Sequence, residues 1–277
     1  MLKGIVLAMS SKGVTLPMSG GEDGTFHAPS TEEFFPGALL FAGTPYEMSR
    51  INIIMVLMTF VISVFFILAF RAPRFVPARL QNMGEIALDF VRINIAEEVM
   101  GHQGRKYATY LTTLFFLLLG FNITGIIPGL QIAGTSVIAV PLILSVITWI
   151  VFNVEGVRAH GLGHYLKMNL FPPGVPAPIY LLVTPIEFVS TFLLRPMTLT
   201  IRLLANMMAG HLLLVLFFSA TSYLLFDAAG FLKIFGLAAY AMGFAFTLFE
   251  VLVAFLQAYI FTLLTAVYIS GATADEH

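Results

Sequence analysis

The chain has 277 residues, of which 58% are hydrophobic and only 10% charged, with a formal net charge of -1 and a mean hydropathy of +0.93. A soluble domain carries about 25% charged residues, so this chain cannot cover a water-facing surface, and without a basic excess it is no nucleic-acid binder. It has no cysteine, which excludes a disulfide scaffold, a thiolate metal site and a thiol nucleophile.

In chain order, residues 1–49 are broken by Gly20, Gly21, Gly24, Pro29, Pro36 and Gly37 and read as an external, extramembrane arm with room for one short helix. The uncharged run Ile51–Phe70 spans a hydrocarbon core of about 30 Å as a helix. Arg71, Arg74 and Arg79 follow, with Pro73 and Pro77 stopping that helix. Over about 80–100, Leu80, Gly84, Ala87, Leu88, Val91, Ile95 and Val99 recur at helical spacing, the pattern of an amphipathic helix lying at the membrane surface. Spans at 111–127 and 136–152 then form a hairpin through Pro128-Gly129. The runs 179–226 and 231–270 are each about 40 residues and, as helices, about 60 Å long. That is twice the hydrocarbon thickness, so each is either two spans or one strongly tilted helix. No polar turn interrupts either run, which favours a tilted antiparallel hairpin turning at Asp227–Gly230. The expected fold is therefore all-α integral membrane, with about five crossings in one membrane domain, 50–277.

Lysines and arginines set the orientation. Arg71, Arg74, Arg79, Arg92, Arg105 and Lys106 lie in 71–110, and Arg158 and Lys167 in 153–178, whereas 128–135 has none. The positive-inside rule places the first two segments in the cytoplasm, the N-terminus outside and, after five crossings, the C-terminus in the cytoplasm.

Glu187, Arg202, Asn206, His211, Glu250 and Gln257 interrupt the last two runs. A charge at the bilayer centre costs at least about 2.5–3.5 kcal/mol and by default marks an ion or proton path. Arg195, beside Pro196 near the cytoplasmic side, reads instead as a snorkelling side chain or one half of a static buried salt bridge. At 100° per residue Asn206 lies about 40° from Arg202, His211 about 180° from it and Glu187 about 60° from it. Folding the hairpin near residue 230 brings Arg202 level with about Gln257 and His211 level with about Glu250. A histidine beside a glutamate can hand on protons near neutral pH, whereas an arginine never deprotonates and blocks proton flow. The pattern is that of two half-channels separated by a fixed charge. No acid in the chain is placed to move between them, so the carrier acid belongs to a partner.

The stretch Pro196-Met197-Thr198-Leu199-Thr200-Ile201-Arg202-Leu203-Leu204-Ala205-Asn206-Met207-Met208-Ala209-Gly210-His211 strongly resembles subunit a of F-type ATP synthases, the membrane stator subunit, and Leu256–Tyr268 is similar to that family's closing motif. Weaker likeness at Arg79–Asn82, Gly104–Tyr107 and Asn122–Gly129 extends the resemblance over roughly 50–277. It implies that Arg202 faces a rotor ring of c subunits and blocks proton leak, with Asn206 and Gln257 as polar support. His211 and Glu250 correspond to the outer half-channel pair, in the exchanged order of acid and imidazole. Glu187 corresponds best to the inner half-channel acid, with its distance from Pro196 one residue off the family pattern. Asn122 and Thr124 stand where many members carry acids, and no chemistry is assigned to them. The implied partners are the c ring, the stator b subunits, the remaining ATP synthase subunits and lipid, in an energy-coupling membrane such as a bacterial plasma membrane. No cofactor, metal or catalytic residue is expected, and the chain lacks a P-loop for ATP.

His160 and His164 share helical spacing, but Gly161 and Gly163 favour a loop over a two-imidazole metal site. A stand-alone transporter is disfavoured because no internal repeat is visible. A purely structural anchor would lose assembly, and not only transport, when Arg202 is replaced.

Overall fold

Lipid offers the backbone no hydrogen-bond partner, so apolar segments of this composition satisfy their own amides as helices. In the computed structural model, the structure describes residues 38–40, 48–71, 78–127, 133–171, 179–227 and 230–274. Most of the expected external arm, the 128–129 corner and part of the 227–230 turn lie outside the described residues. Within the arm, β1 (Ala38–Leu40) and β2 (Met48–Ser49) pair as a short antiparallel ladder.

Helix α1 (Arg50–Phe70) starts at Ser49, whose hydroxyl accepts the Asn52 amide as an N-cap. Helix α2 (Arg79–Val91) continues through a π turn, Arg92–Glu97, and a short helical turn, Glu98–Met100. Gly84, Val91 and Ile95 of the expected stripe are buried, but Leu80 is exposed, as are Met83 and Ile86 at 59% and 62%. The helix thus has a protein-facing side against α1 and an additional bare apolar side. A Cβ on Gly84 would stand 2.8 Å from that of Ala69, so the glycine permits the close approach of α1 and α2.

Helix α3 (Gly104–Ile123) begins earlier and ends earlier than the expected 111–127 span. Among the described residues, four helical runs are long and apolar enough to cross a membrane: α1, α4 (Ala139–His160), Tyr180–Phe226 and α8 (Leu232–Thr273). Helix α3 is not among them because it opens on Gly104-Arg105-Lys106 and carries several threonines and Asn122. Its apolar side is spent inside the protein. Leu111, Phe115 and Leu118 are almost fully covered in a core shared with Val91, Phe152, Leu203 and Phe261.

The expected loop at His160–His164 is instead a helix break. His160 ends α4, Gly161 turns with φ +77°, and His164 lies in helix α5 (Leu162–Leu170). Only Gly161 needs the left-handed backbone that glycine supplies; Gly163 simply sits in the new helix. Gly156 lets the buried Tyr165 ring lie against α4 where a Cβ would overlap it, and the Tyr165 hydroxyl donates to Asn153 Oδ1 at 3.1 Å.

The basic segments gather ion pairs. Glu97 accepts from Arg105 at 2.9 Å and Arg92 at 3.2 Å, and the hydrogen bond from Arg105 holds its carboxyl below the usual carboxylate range. Glu155 accepts from Lys106, Tyr107 and Arg158, and this hydrogen bond raises the Lys106 ammonium above its ordinary range.

The last long run comprises α6 (Tyr180–Phe188), a π turn (Val189–Leu194), α7 (Arg195–Ser222) and a second π turn (Tyr223–Asp227). With α8 of 42 residues, the long uninterrupted helices match the expected hairpin arms. The residues Leu212–Leu248 form a compact unit of their own. Within it the Phe217 and Phe246 rings lie 5.0 Å apart, and Gly236 and Gly243 receive Leu225 and Phe217. Small residues at such contacts let helices approach where no hydrophobic force drives them together. The other unit carries every polar residue singled out above.

A Cβ on Gly104 would overlap the Ala96 carbonyl, whereas nothing stands near Gly163. Gly104→Ala is expected to cost about 1–3 kcal/mol through overpacking and to lower the thermal midpoint of the detergent-solubilised complex. Gly163→Ala should leave it unchanged or raise it slightly through helix propensity. Equal midpoints for the two variants would contradict this packing.

Candidate functional site

Helix α7 alternates covered and bare pairs. Leu199, Thr200, Leu203 and Met207 are buried, while Ile201, Arg202, Ala205 and Asn206 are exposed. Arg202 and Asn206 therefore share an outward face, as their spacing predicts. Among the described residues Arg202 has no carboxylate within ion-pair distance. A guanidinium is thus presented on an outward face of α7 with no carboxylate beside it among the described residues.

Asn206 reaches across to α8, where its Nδ2 donates to Gln257 Oε1 at 2.8 Å. Gln257 is 3% exposed, and its Nε2 has no hydrogen-bond partner among the described residues. The sequence expectation placed Gln257 level with Arg202; the structure sets it level with Asn206, one helical turn further along.

Glu250 is 5% exposed and presses its carboxylate against Gly210, in the space a Cβ would fill. The half-buried His211 is the next residue along α7. The expected common level of His211 and Glu250 thus holds to within one residue. Any side chain at 210 would displace the carboxylate, which explains a glycine at this point of a helix. Glu187, in α6, is half-buried and makes no hydrogen bond or ion pair among the described residues.

Asn122 and Thr124, to which the sequence reading assigned no chemistry, belong to a buried polar cluster. Asn122 is 1% exposed; its Oδ1 accepts from the Thr135 hydroxyl at 2.7 Å and its Nδ2 donates to the Ala254 carbonyl at 3.4 Å. Thr124, also buried, donates to the Phe121 carbonyl and accepts the Gly134 amide. Ala254 lies one turn from both Glu250 and Gln257 on α8, so this cluster ties the α3–α4 connection to the polar stripe of α8. The sequence signals were an amide inside a span, which by default deserves a role, and its match to a position where many family members carry an acid.

Arg195 stacks on the rings of Tyr268 and Phe152 at 5.2 and 5.9 Å, lining a cavity of about 240 Å³ with Asn169. That holds the guanidinium locally, between aromatic rings. His160 and His164 have ring centroids 5.8 Å apart, but among the described residues no group of three His, Asp or Glu side chains could hold a metal.

The ATP synthase A chain family matches residues 52–270. The chain is 52% identical to the ATP synthase subunit a of Rhodococcus erythropolis, over 91% of this chain and 92% of that one. It is 41% identical to the subunit a of a Parafrankia species over 94% of this chain and 88% of the relative, and 41% identical to that of a Nocardioides species over 95% and 91%. The chain belongs to the ATP synthase A chain family.

Thr135→Val would strand the buried Asn122 Oδ1, an expected loss of about 1–3 kcal/mol read as a lower thermal midpoint of the purified complex. Asn122→Leu with Thr135→Val removes both partners and should regain part of that loss. A double variant no better than the sum of its singles would show that the two side chains do not act on each other.

Proposed function

We propose that the chain is the proton-conducting stator subunit of the membrane sector of an F-type ATP synthase, working through two offset half-channels. Family membership supports the coarse reading, a membrane subunit that translocates protons within a larger complex. The observation that carries the finer one is Arg202, exposed and without a counter-ion among the described residues.

Protons enter from the outer side past His211 and Glu250 and neutralise a carboxylate on a ring of c subunits. The neutral carboxylate tolerates lipid, since its desolvation cost is that of a hydrogen-bonding group and not of a charge. The ring turns. An arriving protonated carboxylate that comes beside Arg202 is favoured in its ionised form by the opposite charge and releases its proton to the inner path near Glu187. Because the guanidinium holds its own proton, protons cannot pass directly between the two paths. Asn206, tied to Gln257, steadies the helix face beside Arg202. The chain itself binds no nucleotide and performs no covalent chemistry; the stator b subunits hold it against rotation, and the remaining subunits couple rotation to ATP synthesis. The N-terminus lies outside and the C-terminus in the cytoplasm of a bacterial plasma membrane.

The test is ATP-driven proton pumping in inverted vesicles carrying Arg202→Ala, with assembly followed by immunoblot. Pumping should fall at least tenfold in an assembled complex. Normal pumping by the assembled variant would remove Arg202 from the mechanism and restore a purely structural reading of the charge. If assembly fails, Glu250→Gln decides, because an uncharged isostere at the Gly210 contact preserves packing and should still cut pumping severely.

A further inference from the structure

We infer that Arg195 and Asn169, beside the end of α8, form a binding site for the phosphate headgroup of an anionic phospholipid.

The sequence leaves Arg195 a snorkelling position or a salt bridge. The salt bridge is not formed: no carboxylate lies within ion-pair distance of Arg195 among the described residues. Other cations of the chain are treated differently, since Arg92 and Arg105 share Glu97 while Lys106 and Arg158 share Glu155. Arg195 instead stands by the rings of Tyr268 and Phe152. Those rings attract its charge through their π faces and leave its N–H donors for a true acceptor.

The space beside the guanidinium suits such an acceptor. The cavity of about 240 Å³ is lined by Arg195, Asn169, Val267, Tyr268, Gly271 and Ala272, with no acid among them. At about 30 Å³ per water molecule it has room for roughly eight, enough for a phosphate and the atoms next to it. Asn169 donates from Nδ2 to the Tyr165 carbonyl at 2.9 Å, and its Oδ1 accepts nothing among the described residues. A phosphodiester alone has no hydrogen to give that oxygen. A headgroup that also carries hydroxyls, as glycerol does, satisfies both residues: phosphate to Arg195, hydroxyl to Asn169.

Depth and shape point to a lipid. Thr273, the residue after Ala272, lines the neighbouring cavity where Lys106, Glu155 and Arg158 gather. Charges so clustered belong at the membrane surface and not in hydrocarbon, which sets the Arg195 cavity at headgroup depth, a usual level for a tyrosine such as Tyr268. A Cβ on Gly271 would meet nothing within 4 Å, so the mouth is open there. Val267, 43% exposed, gives an apolar flank for the start of an acyl chain. Basic pockets between transmembrane helices take anionic headgroups in this way.

The test is photolabelling in the whole complex. It is reconstituted in phosphatidylcholine vesicles with a trace of phosphatidylglycerol bearing a diazirine near the glycerol end of one acyl chain, and labelled peptides are mapped by mass spectrometry. Label is expected on residues 267–274, displaced by unlabelled phosphatidylglycerol and not by further phosphatidylcholine or by inorganic phosphate. Arg195→Gln should lower it about tenfold, the order of a lost charge-assisted hydrogen bond. Gly271→Leu fills the mouth, keeps the charge and should lower it at least about threefold. Label that survives both substitutions, or that phosphatidylcholine displaces equally well, would overturn the inference, because apolar contact alone would then hold the lipid. Displacement by inorganic phosphate would overturn it in favour of a free-anion site. Asp275 and Glu276 follow α8 in the sequence; label that appears only after Asp275→Asn with Glu276→Gln would assign Arg195 to the chain's own acids. If the Arg195→Gln complex does not assemble, Gly271→Leu decides.

Discussion

A guanidinium in an apolar setting needs a counter-charge, and this chain does not supply one to Arg202 from its described residues. Burying an unpaired ion costs several kcal/mol even after relaxation, so the fold leaves Arg202 on an outward face in place of closing over it. The surrounding sequence serves that placement. Leu199, Leu203 and Met207 bury the opposite side of α7, while Ala205 beside the arginine leaves room for something to approach. An exposed charge among small residues fits a partner that brings the missing carboxylate with it.

Three other intramembrane polar groups, Asn206, Glu250 and Asn122, are instead held against neighbouring segments of the chain. Asn206 gives its amide to Gln257, Glu250 is packed against a glycine, and Asn122 bridges Thr135 and the Ala254 carbonyl. Hydrogen bonds of this kind contribute modestly to helix association in lipid, but each fixes a register that apolar packing alone would leave free to slide. Gln257 keeps an unpartnered amide nitrogen among the described residues.

Much of this was legible because lipid imposes strong rules. Long uncharged runs predict helices, and four such helical runs stand among the described residues. Arg202 and Asn206 share a face as their spacing requires, and Glu250 meets the level of Gly210 and His211. What escaped the sequence has local causes. Three π turns, at Arg92–Glu97, Val189–Leu194 and Tyr223–Asp227, each shift helical phase, and no composition rule announces them; Pro196 was the one cue. Gly163 looked like a loop residue beside Gly161, though only Gly161 has positive φ. Helix α3 was taken by its apolar centre, while its polar start from Gly104 to Lys106 is helical too.

The central claim is that the Arg202 face of α7 meets a carboxylate-bearing helix of the rotor. The absence of cysteine makes this directly measurable by oxidative cross-linking. Ala205→Cys, on the exposed face next to Arg202, is paired with a cysteine placed one turn from the c-subunit carboxylate. Phe60→Cys on α1, itself 65% exposed, serves as the comparison. A disulfide-linked a–c product from Ala205→Cys and none from Phe60→Cys is the predicted result. No a–c product at Ala205→Cys in an assembled, pumping complex would contradict the account.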